Sequence, residues 1–467
     1  MAETTIRQFI VVNRSAAPEL SQAHDQRDAA TVKGRLLELL GPEYQDRTTE
    51  FDIAPLPPKW ILEKFEYHGD DKKTFTIVRE TPQPVPTLNI PLIFHGEDEE
   101  QVRQAVIRLR STIARLQGKT AFVGTSADLP FQSTDCWCPG EAADPVFGTR
   151  HDAEAAIRAP VLKNNGLRGK NVNVVIIDRG MDPSLVTIKH RWTFTTASNN
   201  IPVPSPDNHA MMVVRNVLKT APDANIFDCT LLPQHISDVV QFITVAYLAY
   251  AQMLADIANW QLTGAYSTEW VFVNAWAIYN RHFEFPVGDY TGNPNNPFNQ
   301  IVKQAALQNN IDMVFAAGNC GVFCPRWNCG RDDRGPGRSI LGANSHDDVL
   351  STGAVRSDDT WLGYSSQGPG LLAHDKPDLC VPSQYRESTD AHLINTGTSA
   401  SCALAAGVIA ALRSRPGWDS NRVSPQALRD ILVATARKTH YPTWNGKLGN
   451  GILNVQDAYA ELGNQFP

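Results

Sequence analysis

Residues 394–413 read INTGTSASCALAAGVIAALR, a Gly-Thr-Ser turn that opens directly into an apolar, Ala-rich helix. A serine at such a helix start is held rigidly, protrudes from the turn, and lies beside the positive end of the helix dipole. Charge that develops during nucleophilic attack is favoured there. Ser399 is therefore a candidate nucleophile. The rival reading is plain capping, since Ser and Thr at a helix start accept hydrogen bonds from its first unpaired N–H groups. Taken alone, the stretch does not separate a nucleophile at Ser399 from a cap at Thr398 or Ser399.

Short apolar runs precede it. Residues 173–177 (NVVII), 225–232, 270–274 and 312–317 each end in a polar or Gly-rich turn, and helical stretches follow several of them. This alternation predicts β-α-β units, that is, an α/β fold with a parallel sheet flanked by helices. Functional residues of open parallel sheets gather at the carboxyl ends of the strands, which places Asp178, Asn274 and Asn319 on one edge. Further upstream, residues 7–13 and 88–94 predict strands, and residues 29–40 a helix stopped by Gly41-Pro42. In residues 97–117, Val102, Ala105, Val106, Leu109, Ile113 and Leu116 recur at helical steps behind an acidic start. Residues 1–125 are thus expected to form a small α+β domain, 126–150 a linker of small, polar, Pro and Gly residues, and 151–467 the main domain. A strand over 451–455 and a short helix are expected to close the chain.

Composition narrows the function classes. The 467 residues are 42% hydrophobic and 19% charged, with a formal net charge of −7; that balance is globular and argues against a nucleic-acid surface. No window approaches 18 consecutive apolar residues, so no membrane span is expected, and the first fifteen residues lack the apolar core of a signal peptide. A cytoplasmic address is expected, in which the eight cysteines would stay reduced. Cys320, Cys324 and Cys329 form a loose C-x3-C-x4-C pattern, and Cys136 and Cys138 are the thiols available to complete a tetrahedral zinc set. A loop of reduced thiols is preferred to zinc, with a disulfide reserved for an oxidising compartment. The loop 288–299 (GDYTGNPNNPFN) supplies oxygen atoms suited to a structural calcium ion but fits no fixed calcium-loop spacing.

The stretch Gly397-Thr398-Ser399-Ala400-Ser401-Cys402-Ala403-Leu404-Ala405-Ala406-Gly407 resembles the nucleophile motif of the subtilases, subtilisin-like serine proteases, which reads G-T-S-M-A-S-P-H-V-A-G. These enzymes carry their triad in the chain order Asp, His, Ser. Residues 166–180 (GLRGKNVNVVIIDRG) look like the family's first strand, with Asp178 ending the run and Gly180 two residues on. His209 opens a helix 31 residues later, ahead of Ala-Pro-Asp-Ala and a strand, as the family layout has it. MVFAAGNCG, residues 313–321, is similar to the oxyanion strand A-A-G-N. The resemblance covers about residues 150–467, leaves 1–125 unmatched, and implies a serine endopeptidase. Ser399 would be its nucleophile, His209 its general base, Asp178 the group orienting His209, and Asn319 the donor to the tetrahedral intermediate. One such donor stabilises the transition state by about 2.7–4 kcal/mol, a magnitude known from subtilisin itself. No cofactor is implied.

Two departures stand out. The first histidine of the family's H-G-T-H-V-A-G is kept as His209, but it is followed by Ala210, Met211, Met212, Val213, Val214 and Arg215. Subtilases bind substrate as an added strand, for which Asn274, Trp276 and Ile278 with Ala316, Ala317 and Gly318 are the expected walls. Trp276 and Ile278 stand where the family has small residues and are expected to narrow the pocket. The substrates would then be a restricted set of proteins or peptides. The alternative is a pseudoprotease that binds a peptide or partner protein with little turnover. Residues 1–125 are expected to be a regulatory, partner-binding domain or a propeptide.

Overall fold

Asn173–Asp178, Trp270–Asn274 and Ile311–Ala316 are buried at every position, as strands covered on both faces must be. In the computed structural model, which describes residues 4–56, 60–68, 74–80, 82, 85–96, 98–127, 132–133, 146–194, 208–232, 242–388, 393–439 and 441–467, they form the middle of a nine-stranded sheet. Its order is Leu379–Pro382, Leu350–Val355, Ile311–Ala316, Trp270–Asn274, Asn173–Asp178, Asn225–Thr230, Ile188–Phe194, Trp60–His68 and Thr74–Glu80. The first seven run parallel. The last two are a hairpin that joins antiparallel to Ile188–Phe194. The expected parallel sheet flanked by helices is therefore present, with an antiparallel extension that the sequence did not announce.

Side chains alternate across a strand. Val174 and Ile176 face a core shared with helices His209–Thr220 and Gly397–Arg413, and Val175 and Ile177 face one shared with Phe242–Thr263 and Pro297–Leu307. The helices that begin with His209 and carry Ser399 lie against each other. A Cβ at Gly407 would sit 2.5 Å from both the Val217 carbonyl oxygen and Thr220 Oγ1, so that position requires glycine. Near the other end Asn216 donates to Asn395 Oδ1 at 2.7 Å. Close approach thus survives the bulky residues after His209, because the small residues of the partner helix make the room.

A second sheet, fully antiparallel, has the order Phe51–Ile53, Thr87–Gly96, Thr4–Asn13 and Phe122–Ala127. Helix Glu99–Leu116, started by Asp98 accepting the Glu100 N–H, buries Val102, Ala105, Val106, Leu109 and Ile113 on one face of it. Phe9, Val11 and Ala127 on the other face join the core around Phe242–Thr263. Asp289 ties the seam, accepting from Ala127 N at 2.5 Å and pairing with Arg110. Residues 451–455 differ from expectation: Ile452 makes only isolated bridges to Cys380 and Arg437 in place of a strand, before helix Val455–Gln465. Most of the expected linker, with Cys136 and Cys138, lies outside the described residues. Of residues 128–145 only Gln132–Ser133 is described, and it pairs antiparallel with Trp276–Ala277. Among the described residues no helix is long and apolar enough to cross a membrane.

Candidate active site

Asp178 ends its strand and is fully buried. Its Oδ1 accepts the N–H of Arg179 at 2.7 Å, and its Oδ2 lies 2.7 Å from His209 Nδ1. A carboxylate only accepts, so Nδ1 carries the proton and Nε2 is the basic nitrogen of the ring. His209 is the first residue of its helix. The helix cap, Asn208, accepts the Met211 N–H at 3.0 Å and donates to the Gly180 carbonyl at 2.7 Å, tying the histidine to the turn that follows Asp178.

Ser399 is the third residue of helix Gly397–Arg413 and is fully buried. The rival role of capping belongs to neither candidate: Thr396 holds the cap position, without a side-chain capping bond. Ser399 Oγ instead donates to the Ala275 carbonyl at 3.2 Å. Gly397 takes a positive φ of 72°, which sets the turn at the helix start. Cys402, one turn on, is no rival nucleophile. Burial pushes its thiol well up, and its Sγ lies 3.5 Å from the Val314 carbonyl.

Asn319 follows Ala316, Ala317 and Gly318 at the end of strand Ile311–Ala316 and is fully buried. Its Oδ1 accepts from both the N–H and the hydroxyl of Thr398, and its Nδ2 lies 3.3 Å from the Tyr279 hydroxyl. Gly318 sits at φ +105°, and a Cβ there would be 2.9 Å from Ser366 Oγ. The sheet topology thus brings Asp178, His209, Ser399 and Asn319 to one end of the molecule from four separate segments.

The pocket walls need correction. Trp276 and Ile278 do not line the cleft. Trp276 is fully buried among Phe242, Phe298 and Phe315, with ring centroids 5.1, 5.8 and 5.8 Å away, and Ile278 joins the same core. Asn274 points the same way, accepting from Tyr250 at 2.6 Å and from Trp276 Nε1 at 3.2 Å. Alternation therefore turns Ala275, Ala277 and Tyr279 toward the site. Ala277 and Tyr279 pack with Cys320 and Cys329 beside Asn319. Tyr279 is a residue beside Asn319 that sequence reasoning missed, and a period-two count from Ala275 would have found it; Thr398, weighed there only as a helix cap, instead holds Asn319. The expectation of reduced thiols is also corrected: Cys320 and Cys329 form a disulfide, closing a loop directly after Asn319. Arg326, inside that loop, donates its N–H to the Asn319 carbonyl at 3.0 Å.

The profile of the subtilase family matches residues 169–451, well over half of the chain. The chain belongs to the subtilase family. Membership places it among the serine peptidases, and it is a divergent member. Subtilisin E of Bacillus subtilis (strain 168) is 25% identical to this subtilase over 317 residues, covering 65% of this chain and 69% of its own. The subtilisin of Bacillus pumilus is 25% identical over 313 residues, covering 65% and 96%. Among solved structures, MycP1 from Mycobacterium smegmatis aligns at 16% identity with a TM-score of 0.45, over 72% of this chain and 89% of that one.

Proposed function

We propose that this subtilase is a serine endopeptidase that cleaves a restricted set of protein substrates through an acyl-enzyme on Ser399. The observation that carries the proposal is the 2.7 Å contact between His209 Nδ1 and Asp178 Oδ2, made at the buried edge where Ser399 and Asn319 also lie. In this reading His209 takes the Ser399 proton as the hydroxyl attacks the scissile carbonyl, and Asp178 stabilises the imidazolium. The amide of Asn319 donates to the oxyanion. His209 then returns its proton to the leaving amine, and water releases the acyl group by the reverse sequence.

Restriction comes from access. Ser399 and Asn319 are fully buried and His209 is 7% exposed. Gln132–Ser133 already occupies the strand Trp276–Ala277, immediately after the residue whose carbonyl receives the Ser399 hydroxyl. A substrate that binds as an added strand must displace that segment, so residues 1–125 and the stretch after them act as a regulatory element or a propeptide. The Cys320–Cys329 disulfide favours an oxidising compartment over the cytoplasm.

The same burial motivates the second reading, a pseudoprotease that binds a peptide or partner protein. Covalent labelling by a fluorophosphonate separates the two. The endopeptidase reading expects labelling that is lost in Ser399→Ala and His209→Ala, and new protein amino termini on adding wild type but not Ser399→Ala. Folded full-length protein that takes no label after the segment around Gln132 is cut favours the binder.

A further inference from the structure

The turn that follows Asp178 is gripped by an arginine, and that arginine is sealed in from outside the catalytic segments. Arg191, on strand Ile188–Phe194, is 4% exposed. Its Nε donates to Asp228 Oδ2 at 2.7 Å and its Nη2 to the carbonyl of Met181. The same Asp228 oxygen accepts the N–H of Met181 at 2.9 Å. Both backbone groups of a residue three positions after Asp178 are thus held by one buried ion pair. Asn208 grips the preceding residue, Gly180, from the side of His209.

The opposite side of Arg191 is covered by the hairpin of Trp60–His68 and Thr74–Glu80. Glu63 lies directly across from Arg191 in the strand register and is 1% exposed. Its Oε2 is 3.9 Å from Arg191 Nη1, while its Oε1 accepts from Arg79 at 3.2 Å. The guanidinium also lies 4.9 Å from the ring centroid of Phe65. The hairpin therefore keeps water from the pair formed by Arg191 and Asp228. At an uncovered sheet edge that pair would be screened and its geometry loosened.

We propose that Arg191, Asp228 and Glu63 are positioning residues for the contact between Asp178 and His209, and that the hairpin 60–80 is a working part of the peptidase. The proposal rests on the reading of Asp178 as the residue that orients His209. With Met181 and Gly180 both fixed, the strand end cannot swing, and the carboxylate stays where Nδ1 meets it. A misplacement of about 1 Å is enough for roughly a hundredfold loss of rate.

The test uses the full chain and two readouts. One is fluorophosphonate labelling, resolved into a maximal rate and a half-saturating reagent concentration. The other is the imidazole Nδ1–H proton resonance of His209, assigned by its absence from His209→Ala. Arg191→Lys keeps the charge but loses the two-pronged donor; the maximal rate is expected to fall about tenfold or more with half-saturation held within about twofold. The His209 resonance should shift or broaden. Glu63→Gln should do the same more weakly, with Glu63→Asp restoring part of the loss, and it carries the test if Arg191→Lys does not fold. Folded variants with the wild-type maximal rate and an unmoved His209 resonance overturn the proposal. A wild type that takes no label even after the segment around Gln132 is cut overturns the acyl-transfer reading instead, and the His209 resonance of the same variants still decides this one.

Discussion

The N–H and the hydroxyl of Thr398 both donate to Oδ1 of Asn319, each at 3.0 Å. The residue beside Ser399 thereby fixes which end of the asparagine side chain is left to donate. The hydroxyl also accepts the Gly318 N–H at 3.1 Å, so it locks the turn as well. Thr398→Val keeps the shape and the backbone N–H bond but removes the hydroxyl's bonds to Asn319 and Gly318; kcat should fall about tenfold with KM nearly unchanged, because the donor acts on charge present only in the transition state. Asn319→Leu should cost about a hundred- to a thousandfold in kcat. Steady-state kinetics on a cleavable peptide checks both, and an unchanged kcat in Thr398→Val removes the role given to the threonine.

The pairing of Gln132–Ser133 with Trp276–Ala277 predicts a gain of function. Proline lacks the N–H that an added strand needs. Ser133→Pro should raise kcat/KM on small peptide substrates several-fold relative to wild type. Equal values would mean that this segment does not compete with substrate.

The Cys320–Cys329 bridge closes a short loop, with a sequence separation of 9. The loop-entropy relation puts its removal at about 2.7 kcal/mol. The double substitution of Cys320 and Cys329 by serine should lower the thermal midpoint by a few degrees. It should also reduce kcat, because Arg326 holds the Asn319 carbonyl from inside the loop. A reductant applied to wild type should reproduce both effects.

His190 stacks on Phe227 at 6.0 Å, lies tilted against Trp260 at 4.7 Å and meets Tyr266 edge-on at 5.7 Å between ring centroids, and burial lowers its pKa to about 4 from 6.5. The unfolded chain therefore takes up this proton first as the pH falls. Stability is fully present above pH 6.5 and is lost toward pH 4, by about 3 kcal/mol for this one group. His190→Phe, which preserves the aromatic stack, should flatten urea-unfolding free energies across that window relative to wild type. Parallel pH slopes in the two proteins would assign the acid sensitivity elsewhere.

Runs such as residues 173–177 were legible as strands because burial on both faces demands unbroken apolar sequence, and their turns marked which end carries polar groups. The same property hid the facing of residues 274–278: where both faces are apolar, no alternation tells Trp276 from Ala275, and the large residue went to the core because only the core has room for it. The hairpin 60–80 was illegible for another reason. Its partner strand begins more than a hundred residues later, and nothing local in Glu63 or Phe65 names Arg191 as a neighbour. The disulfide escaped because spacing alone does not fix a pairing, and the expected compartment argued against one. The four residues at the strand ends and helix starts were legible through the order and wording of their motifs, which pure periodicity would not have supplied.

The hairpin also acts as a stopper on an open sheet. Ile188–Phe194 is the last of the seven parallel strands, and Trp60–His68 takes up its outer row of backbone N–H and C=O groups. A shortened chain beginning at residue 146 would keep every catalytic candidate and lose that cover. It would then present Arg191 and Trp192 on an unpaired edge that invites another copy to dock strand to strand. Such a protein is expected to self-associate in solution, so the price of trimming the N-terminal region would appear first in colloidal behaviour and only then in the chemistry.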